Sequence, residues 1–315
     1  MQDRVWTIKA ALSWVESYLA SKGDENPRLS AQLLLAAVTD LSRLELYTNF
    51  DKPLSREELS SLHTYVVKRA QGEPIQYITG RAAFRYYTFA VKPGVLIPRP
   101  ETEVLVSEAL ALLKDYQDLT QETHLEVADI GCGTGCVGLS IAAECPRASL
   151  TELDINPDAC ALTKENADML DLGDRIKVVE GDMLSISGKD HAAAFDLIVS
   201  NPPYIPTQVL DEIPREVSAF EPREALDGGE DGLDFFRVLI DFAAEALKPH
   251  GALAIELFEE KVDEACEYAE MRGFEAVRSV YDLTNRPRIV VARKPSKNSK
   301  ESQRGSKSVR AQNAQ

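Results

Sequence analysis

One tetrapeptide near the middle of the chain has the residue types that most directly suggest a reaction. It consists of Asn201, Pro202, Pro203 and Tyr204. It follows the apolar run 195–200, which is typical of a buried strand, so it lies where that strand would open into a loop. Proline has no N–H for a sheet ladder, and the pair therefore ends strand pairing and frees backbone carbonyls to face a ligand. The tetrapeptide predicts a site rich in hydrogen-bond acceptors beside one aromatic ring.

Such a site suits alkylation of a planar NH2 group, either an amide or the exocyclic amine of a base. The nitrogen lone pair of this group is delocalised, so the nitrogen is a poor nucleophile until its two hydrogens are held. The Asn201 side-chain oxygen and the Pro202 carbonyl can each accept one N–H, while the Tyr204 ring stacks on the plane. Catalysis would then consist mainly of positioning and electrostatics. The alternative is a proline-stiffened turn, so the hypothesis requires a cofactor site.

A glycine-rich stretch follows the apolar run 126–130 and provides a candidate for that site. Its residues are Gly131, Cys132, Gly133, Thr134 and Gly135. The three glycines let the backbone turn tightly and approach a ligand at the carboxyl edge of a sheet. Cys136 departs from the dinucleotide pattern G-x-G-x-x-G, and the Gly-Lys-Ser/Thr of a phosphate-binding loop is absent. The spacing suits a nucleoside without a pyrophosphate.

Acidic residues at the ends of the next two predicted strands extend the candidate cofactor site. Asp154, 19 residues beyond Gly135, is placed to accept ribose hydroxyls. Glu152 is its rival, but side chains alternate along a strand, and only the acid nearer the strand end should reach the sugar. Asp182 is placed to bond an adenine amine, with Met183 covering the ring. The alternative is that the acids are ordinary loop carboxylates and the methionine a core residue.

The elements that must position these residues divide the chain into four parts. Residues 1–80 are expected to form a small helical domain, and 81–100 a β-hairpin that links it to the rest. In 101–293, apolar strands alternate with helical stretches, which predicts an α/β fold with a doubly wound, mostly parallel, seven-stranded sheet. Residues 294–315 are polar and basic and should be disordered. The strands are expected at 126–130, 149–153, 176–179, 195–200, 252–257, 274–281 and 288–292.

Three amphipathic helices are expected in the first part. Apolar residues at three-and-four spacing between Val5 and Leu19 predict the first helix. The second should be capped near Ser30 and fade by residues 44–49. Ser55 and Glu58 form the capping box of a third, which should run to Ala70.

The net charge distinguishes a nucleic-acid partner from a protein partner. The chain has a net charge of −16 and a pI of about 4.8, which opposes the basic surface expected of a nucleic-acid binder. Residues 101–293 carry a net charge of about −24, whereas 81–100 carry about +4 and include Arg85 and Arg99. We therefore expect no nucleic-acid partner, and we expect a protein substrate to dock near the basic hairpin.

Location and metal content are predicted from the apolar and cysteine patterns. No apolar run approaches the ~18 residues of a membrane span, and the first residues lack the order of a signal peptide. We expect a cytoplasmic protein without a membrane partner. The five cysteines show no paired or zinc spacing, which indicates reduced thiols and no metal site.

The order of glycine loop, ribose acid, Gly-Asp and Asn-Pro-Pro-Tyr resembles class I methyltransferases that use S-adenosylmethionine. More narrowly, residues 5–293 resemble the release factor glutamine N5-methyltransferases. Segments that carry this narrower resemblance are Gly72–Gly80, Leu96–Glu103 and the loop from Glu221 to Gly229. The tetrapeptide alone is shared with amino-methyltransferases of DNA and RNA, so a nucleic-acid enzyme acting on adenine N6 or guanine N2 is the alternative.

The resemblance implies methylation of the side-chain amide of the glutamine in the Gly-Gly-Gln motif of peptide chain release factors. It implies that residues 131–135, Asp154, Met183 and Asn201 contact the cofactor and that residues 201–204 bind the glutamine. Glu152 departs from the family pattern, where a small or apolar residue is usual, and the basic tail has no counterpart. Glu256, at the end of a predicted strand, is expected to be a structural acid.

Overall fold

The computed structural model describes residues 5–296 and divides the chain into two compact units. The first unit comprises the chain up to Ala82 together with Val91–Gly94 and Ile213–Glu221. The second comprises Ala83–Ala90, Val95–Glu212 and the chain from Pro222 onward. Apart from residues 294–296, the tail that is predicted to be disordered lies outside the described residues.

Within residues 5–296 the secondary structure consists of α-helices, β-strands and short 3₁₀ turns. The helices are α1 (Ile8–Ser21), α2 (Pro27–Thr39), α3 (Arg43–Thr48), α4 (Arg56–Ala70), α5 (Ile75–Thr79), α6 (Glu103–Thr120), α7 (Cys136–Glu144), α8 (Pro157–Met169), α9 (Arg215–Ser218), α10 (Asp234–Ala246) and α11 (Val262–Met271). The strands are β1 (Arg81–Phe84), β2 (Tyr87–Ala90), β3 (Leu125–Ile130), β4 (Ala148–Asp154), β5 (Ile176–Glu180), β6 (Phe195–Ser200), β7 (Leu247–Glu256), β8 (Glu275–Tyr281) and β9 (Pro287–Arg293). Across the described part of the chain, no helix combines the length and apolar character that crossing a membrane requires.

Helices α1 to α5 build the first unit around an apolar core. Its fully buried members are Ile8, Val15, Leu19, Leu34, Leu35 and Leu46. The predicted capping box is present, because the Ser55 hydroxyl accepts from Glu58 N and the Glu58 carboxylate accepts from Ser55 N. The start of α2 near Ser30 is wrong. The helix begins at Pro27, since proline has the φ of the first helical turn and lacks only an N–H that the helix leaves unpaired there.

A segment from much later in the chain also belongs to the first unit. The Arg69 guanidinium donates to Asp24 Oδ2 at 2.7 Å, to the Glu73 carbonyl at 3.1 Å and to Glu216 Oε1 at 2.8 Å. The Phe220 ring lies 3.9 Å from where a side chain on Gly72 would begin. These contacts tie residues 213–221 to α4 and to the turn that follows it.

The predicted β-hairpin is present as the paired strands β1 and β2. Arg85 lies in its turn, with φ of 53°, and donates to both carboxylate oxygens of Glu144, at 2.6 and 2.7 Å. The same guanidinium donates to the Glu103 carbonyl at 3.0 Å. Arg85 is therefore engaged in a largely buried ion pair, and docking of the substrate near the hairpin stays a prediction.

The second unit contains a seven-stranded sheet of order β5-β4-β3-β6-β7-β9-β8. The first five strands in that order are parallel, and β9 is antiparallel to both β7 and β8. This confirms the predicted doubly wound, mostly parallel α/β sheet. One boundary differs clearly from the prediction, because β7 begins at Leu247 rather than at residue 252.

The strand order reverses between β3 and β6. From β3 the chain continues outward to β4 and β5, then returns to place β6 on the other side of β3. Apolar side chains cover both faces, with Val127 and Leu197 on one and Ala128 and Ile198 on the other. Ligands of open α/β sheets bind outside the carboxyl ends of the strands at such a reversal.

Candidate active site

The glycine loop and the tetrapeptide occupy neighbouring strand ends at this reversal. Asp129 of β3 pairs with Val199 of β6, so the two strands end side by side. The hydroxyl of Ser200, which is fully buried, donates to the Ile130 carbonyl at 2.5 Å. The structure thus brings together two motifs that are about 70 residues apart in sequence.

The glycine loop needs glycine for both conformation and space. Gly131, Gly133 and Gly135 have φ values of 78°, 59° and 76°, the left-handed region that other residues rarely adopt. A Cβ on Gly135 would lie 2.8 Å from Thr163 Cγ2. Asp154 Oδ2 accepts a hydrogen bond from Gly133 N at 2.8 Å. The expected ribose acid therefore lies directly against the loop.

Helix α8 supports the glycine loop from behind, through residues that sequence reasoning missed. Asn166 Nδ2 donates to the Thr134 carbonyl at 2.8 Å, and the Thr163 hydroxyl donates to the Gly133 carbonyl at 3.1 Å. The side chains of Cys132 and Thr134 are buried, so this loop presents mainly backbone to a ligand. Asparagine and threonine inside a helix carry no local signal of such a role.

Asp182 and Met183 lie at the next strand end but differ in their surroundings. Met183 is buried, and its terminal methyl lies 2.8 Å from where a Cβ on Gly131 would begin. The Asp182 carboxylate accepts from Leu184 N at 2.8 Å and from the Ser185 hydroxyl at 3.2 Å. Met183 therefore packs against the glycine loop, whereas Asp182 caps its own turn.

Glu152 and Asp154 have separate environments. Glu152 is fully buried and faces α7, where a Cβ on Gly138 would lie only 2.0 Å from its Oε1. Within residues 5–296 neither of its carboxyl oxygens has a partner at direct hydrogen-bond distance. Its neighbour across the strands is Asp129, whose Oδ2 accepts from Gly138 N at 2.9 Å. Of the two candidate ribose acids, only Asp154 contacts the glycine loop.

The buried carboxyls of Asp129 and Glu152 retain protons above their ordinary pKa. Burial raises the pKa of both groups. The pKa of Glu152 is raised further by the nearby charges of Asp129 and Asp154. A proton kept on Glu152 avoids placing two charges side by side with Asp129 where water cannot reach them.

We expect the Glu152→Gln variant to lose part of the pH dependence of stability. Folded Glu152 keeps its proton above the ordinary pKa of 4.5, whereas the unfolded chain releases it, so the free energy of unfolding falls as pH rises above that value. Each retained proton removes about 1.4 kcal/mol per pH unit in this window. Glutamine has nearly the same shape as glutamate but cannot titrate. Urea unfolding between about pH 5 and pH 8 measures the difference. Glu180→Gln, an exposed site on β5, is the control, and parallel curves for wild type and Glu152→Gln would contradict the prediction.

Both ends of the tetrapeptide are held by buried groups. Asn201 Nδ2 donates to the Thr102 hydroxyl oxygen at 3.1 Å, so Oδ1 is the atom of this amide that can accept from a ligand. The Tyr204 hydroxyl donates to Glu256 Oε1 at 3.2 Å. Burial and the Glu256 charge raise the pKa of Tyr204, which stays neutral and keeps donating. Glu256, expected only as a structural acid, therefore contacts the tetrapeptide.

A glycine-rich loop brackets the tetrapeptide on its other side. Gly228 N donates to the Ile205 carbonyl at 2.8 Å, and Ile205 N donates to the Leu226 carbonyl at 2.9 Å. A Cβ on Gly228 would lie 2.6 Å from Tyr204 Cα, and one on Gly232 would lie 2.5 Å from the Tyr204 carbonyl oxygen. These glycines allow two backbones to touch. The family resemblance singled out the loop from Glu221 to Gly229, but sequence reasoning assigned no role to Gly228 or Gly232.

Comparison with known proteins identifies two domains along the chain. Residues 10–80 match the family model of the PrmC N-terminal domain, and residues 108–215 match that of the methyltransferase small domain. The hMettl16 catalytic domain, solved in complex with the MAT2A 3'UTR hairpin 6, superposes with a TM-score of 0.51 at 17% identity, over 76% of this chain and 81% of that one. At that identity the likeness concerns the fold alone, and it agrees with the predicted class I methyltransferase architecture.

Curated relatives match at higher identity over most of their length. The chain is 45% identical to the release factor glutamine methyltransferase of Geobacter sulfurreducens, over 81% of this chain and 86% of that protein. It is 36% identical to the release factor glutamine methyltransferase of Caulobacter vibrioides, over 90% of this chain and 96% of that protein. These matches confirm the resemblance that the motifs indicated, and the chain belongs to the release factor glutamine methyltransferase family.

Proposed function

We propose that this protein transfers the methyl group of S-adenosylmethionine to the side-chain amide nitrogen of the glutamine in the Gly-Gly-Gln motif of peptide chain release factors. The observation that carries the proposal is the juxtaposition of the glycine loop and the tetrapeptide, joined by the bond from Ser200 to the Ile130 carbonyl. The predicted nucleoside-binding loop and the predicted binding site for a planar NH2 group then lie next to each other, where the strand order reverses between β3 and β6. Membership of the family supports the choice of substrate.

The residues at the glycine loop fit S-adenosylmethionine. Positive φ at Gly131 and Gly133 leaves backbone rather than side chain facing the ligand, and the Asp154 carboxylate, already bound to Gly133 N, retains lone pairs for ribose hydroxyls. We propose that Met183 covers the adenine ring and that Asp182, whose carboxylate also caps its own turn, accepts from the adenine amine, while Cys132, Thr134 and Gly135 complete the loop. When bound, S-adenosylmethionine would supply a methyl group on a positively charged sulfur, and that sulfur would keep the electron pair of the broken carbon–sulfur bond when the amide nitrogen takes the methyl group.

The tetrapeptide would hold the glutamine amide for this reaction. Asn201 Oδ1 and the Pro202 carbonyl each accept one N–H, Pro203 stiffens the loop, and the Tyr204 ring covers the amide plane. Holding both hydrogens turns the nitrogen lone pair towards the methyl donor. The methylated nitrogen is more acidic than the amide and releases its extra proton to water, so the reaction needs no general base.

We further propose that the helical first unit recognises the release factor. Residues 10–80 match a domain model of their own, separate from the methyltransferase domain. The domain bounds 1–80, 81–100 and 101–293 stay a proposal. A release factor as substrate would also agree with the cytoplasmic location that the sequence predicts.

Mass spectrometry of a release factor after incubation with this protein and S-adenosylmethionine tests the proposed function. We expect one added methyl group on the peptide that contains Gly-Gly-Gln, localised to the glutamine side chain by fragmentation. A release factor with that glutamine replaced by alanine is the matched control and should gain none.

The same incubation with labelled cofactor and DNA or RNA tests the alternative amino-methyltransferase. The net charge of about −24 on residues 101–293 disfavours a polyanion as substrate. Label in nucleic acid but none in release factor would overturn the proposed substrate.

A further inference from the structure

Glu256 is a buried carboxylate that the proposed reaction does not use. It is the last residue of β7, it is 1% exposed, and its Oε1 accepts from the Tyr204 hydroxyl at 3.2 Å. Within residues 5–296 its other oxygen, Oε2, has no partner at direct hydrogen-bond distance. A buried carboxylate costs free energy unless its surroundings satisfy it, so its position at the tetrapeptide requires an explanation.

Thr102 contacts Asn201 from a distant part of the sequence. It ends the 3₁₀ turn Pro100–Thr102, it is 1% exposed, and its hydroxyl oxygen accepts from Asn201 Nδ2 at 3.1 Å. A hydroxyl has one proton, and an oxygen that accepts from Asn201 must direct that proton elsewhere. One acceptor open to that proton is Glu256, since hydrogen bonding by the Thr102 hydroxyl is among the effects that lower the pKa of this carboxyl against its burial.

We propose that Glu256 and Thr102 are positioning residues that set the orientation of the Asn201 amide. Glu256 accepts from Thr102, Thr102 accepts from Asn201 Nδ2, and Oδ1 is thereby turned towards the methyl-acceptor nitrogen. This inference rests on the proposed function, because that function assigns Oδ1 the task of accepting an N–H.

The donor-to-acceptor direction of these hydrogen bonds matters because the oxygen and the NH2 of a carboxamide have nearly the same shape. A flipped Asn201 would present its NH2 to the NH2 of the substrate, donor against donor. Packing distinguishes the two orientations poorly, whereas a fixed acceptor on Thr102 distinguishes them by a hydrogen bond. An ionised carboxylate can only accept hydrogen bonds, so Glu256 fixes the direction of both hydrogen bonds in the series from Asn201 through Thr102.

The same carboxylate also holds the other end of the tetrapeptide. Tyr204 donates to Glu256 across 52 residues of sequence, and Asn201 reaches Thr102 across 99. One acid therefore orients the amide acceptor and the aromatic ring together.

The first test compares Thr102→Val with Thr102→Ser. Valine keeps the branched shape but removes the acceptor, and we expect kcat for a release factor to fall about 10- to 100-fold. We expect KM and the affinity for S-adenosylmethionine to change by less than about threefold. Serine restores the hydroxyl and should recover most of kcat. Equal losses in both variants, or a wild-type kcat in Thr102→Val, would refute the proposal.

The second test uses Glu256→Gln and the pH profile of kcat. Burial raises the pKa of Glu256 to about 7, opposed by the hydroxyls of Thr102 and Tyr204 and by the charge of Arg288, while Glu101 adds to the increase. A protonated Glu256 presents a donor to Thr102, so wild-type kcat should fall as pH drops below about 7. Glu256→Gln should have a lower kcat and lack this fall. Tyr204→Phe, which removes only the other hydroxyl, should keep it. A fall that persists in Glu256→Gln would count against the proposal.

A third readout needs no substrate. In the ¹⁵N NMR spectrum, one side-chain amide proton of Asn201, assigned with Asn201→Ala, should have a hydrogen-bonded shift in wild type and Thr102→Ser. The shift should disappear in Thr102→Val, and its persistence there would refute the orientation by Thr102. If wild type failed to methylate release factor, the proposed substrate would be wrong, while this spectrum would still decide the orientation.

Discussion

The Asn201→Ala variant is expected to lose about 10²- to 10³-fold in kcat while its affinity for S-adenosylmethionine changes little. The substitution removes the Oδ1 acceptor and the contact with Thr102, but the glycine loop keeps its own supports in Asp154 and Asn166. The loss should appear in kcat, since the amide must be held most firmly while its nitrogen is attacked. Single-turnover methylation of release factor and calorimetric titration with S-adenosylmethionine measure the two quantities.

Gln208→Ala provides a control for the Asn201 result. Gln208 is exposed in the loop that follows the tetrapeptide, and its truncation should leave kcat unchanged. Near-wild-type turnover by Asn201→Ala would show that the tetrapeptide does not hold the acceptor. Loss of cofactor binding in step with turnover would instead assign Asn201 mainly to the cofactor.

Gly228→Ala is expected to have the second largest effect, about 10²-fold in kcat/KM. The added Cβ would lie 2.6 Å from Tyr204 Cα and 2.8 Å from its carbonyl carbon, and these are backbone atoms that no side-chain rotation can move away. Tyr204 must shift, which disturbs the methyl-acceptor side of the site. Overpacking of this kind also lowers stability, by about 1–3 kcal/mol. Steady-state kinetics and urea unfolding measure the two effects.

Gly173→Ala is the matched glycine control. Its Cβ would lie 3.2 Å from Asp168 Oδ1, the end of a side chain that can rotate, and the site lies elsewhere. We expect wild-type kinetics for this variant. Cofactor affinity should survive in Gly228→Ala, because the glycine loop follows a different strand. Unchanged kcat/KM in Gly228→Ala would show that the backbone contact does not position Tyr204.

Most of the sheet could be predicted because its signals are local. Each strand from 126 to 292 is a short apolar run bounded by turn residues, and all seven are present in the predicted order along the chain. The late start predicted for β7 has a local cause as well. Lys248, Pro249 and His250 interrupt the apolar run, yet Leu247 pairs with Phe195 of β6. When pairing with a neighbouring strand determines where a strand begins, the local residue types do not reveal that position.

The helical unit was harder to predict because its smaller pieces depend on packing. Helix α3 has a capping box at Ser42 but only six residues, too few for a clear apolar period, and α5 has five. The assignment of residues 213–221 to this unit rests on Arg69 and Glu216, which are 147 residues apart. Pattern reasoning over short windows cannot pair such residues.

In the candidate site, too, the residues with a local sequence signal were predicted, whereas the roles that depend on tertiary contacts were not. Gly131 to Gly135 and Asn201 to Tyr204 were found because each motif lies directly after an apolar run. Glu152 and Asp154 lie on the same face of β4, so the sequence distinguished them only by their distance from the end of the strand. Their roles differ because Glu152 is enclosed beneath α7, opposite Gly138, whereas Asp154 reaches the end of the strand.

The amino-acid sequence by itself determined the order of strands and helices, the position of both motifs at strand ends, and the reaction class that those motifs imply. Periodicity and turn chemistry act over a few residues, so they can be seen without a structure. The tertiary structure decided which groups hold the motifs. Thr102, Glu256 and Gly228 come from different parts of the chain. The strand order places Glu256 of β7 beside the end of β6, and the loops that hold Thr102 and Gly228 contact the same tetrapeptide. Contacts between distant residues depend on which strands become neighbours, and no short stretch of sequence contains that information.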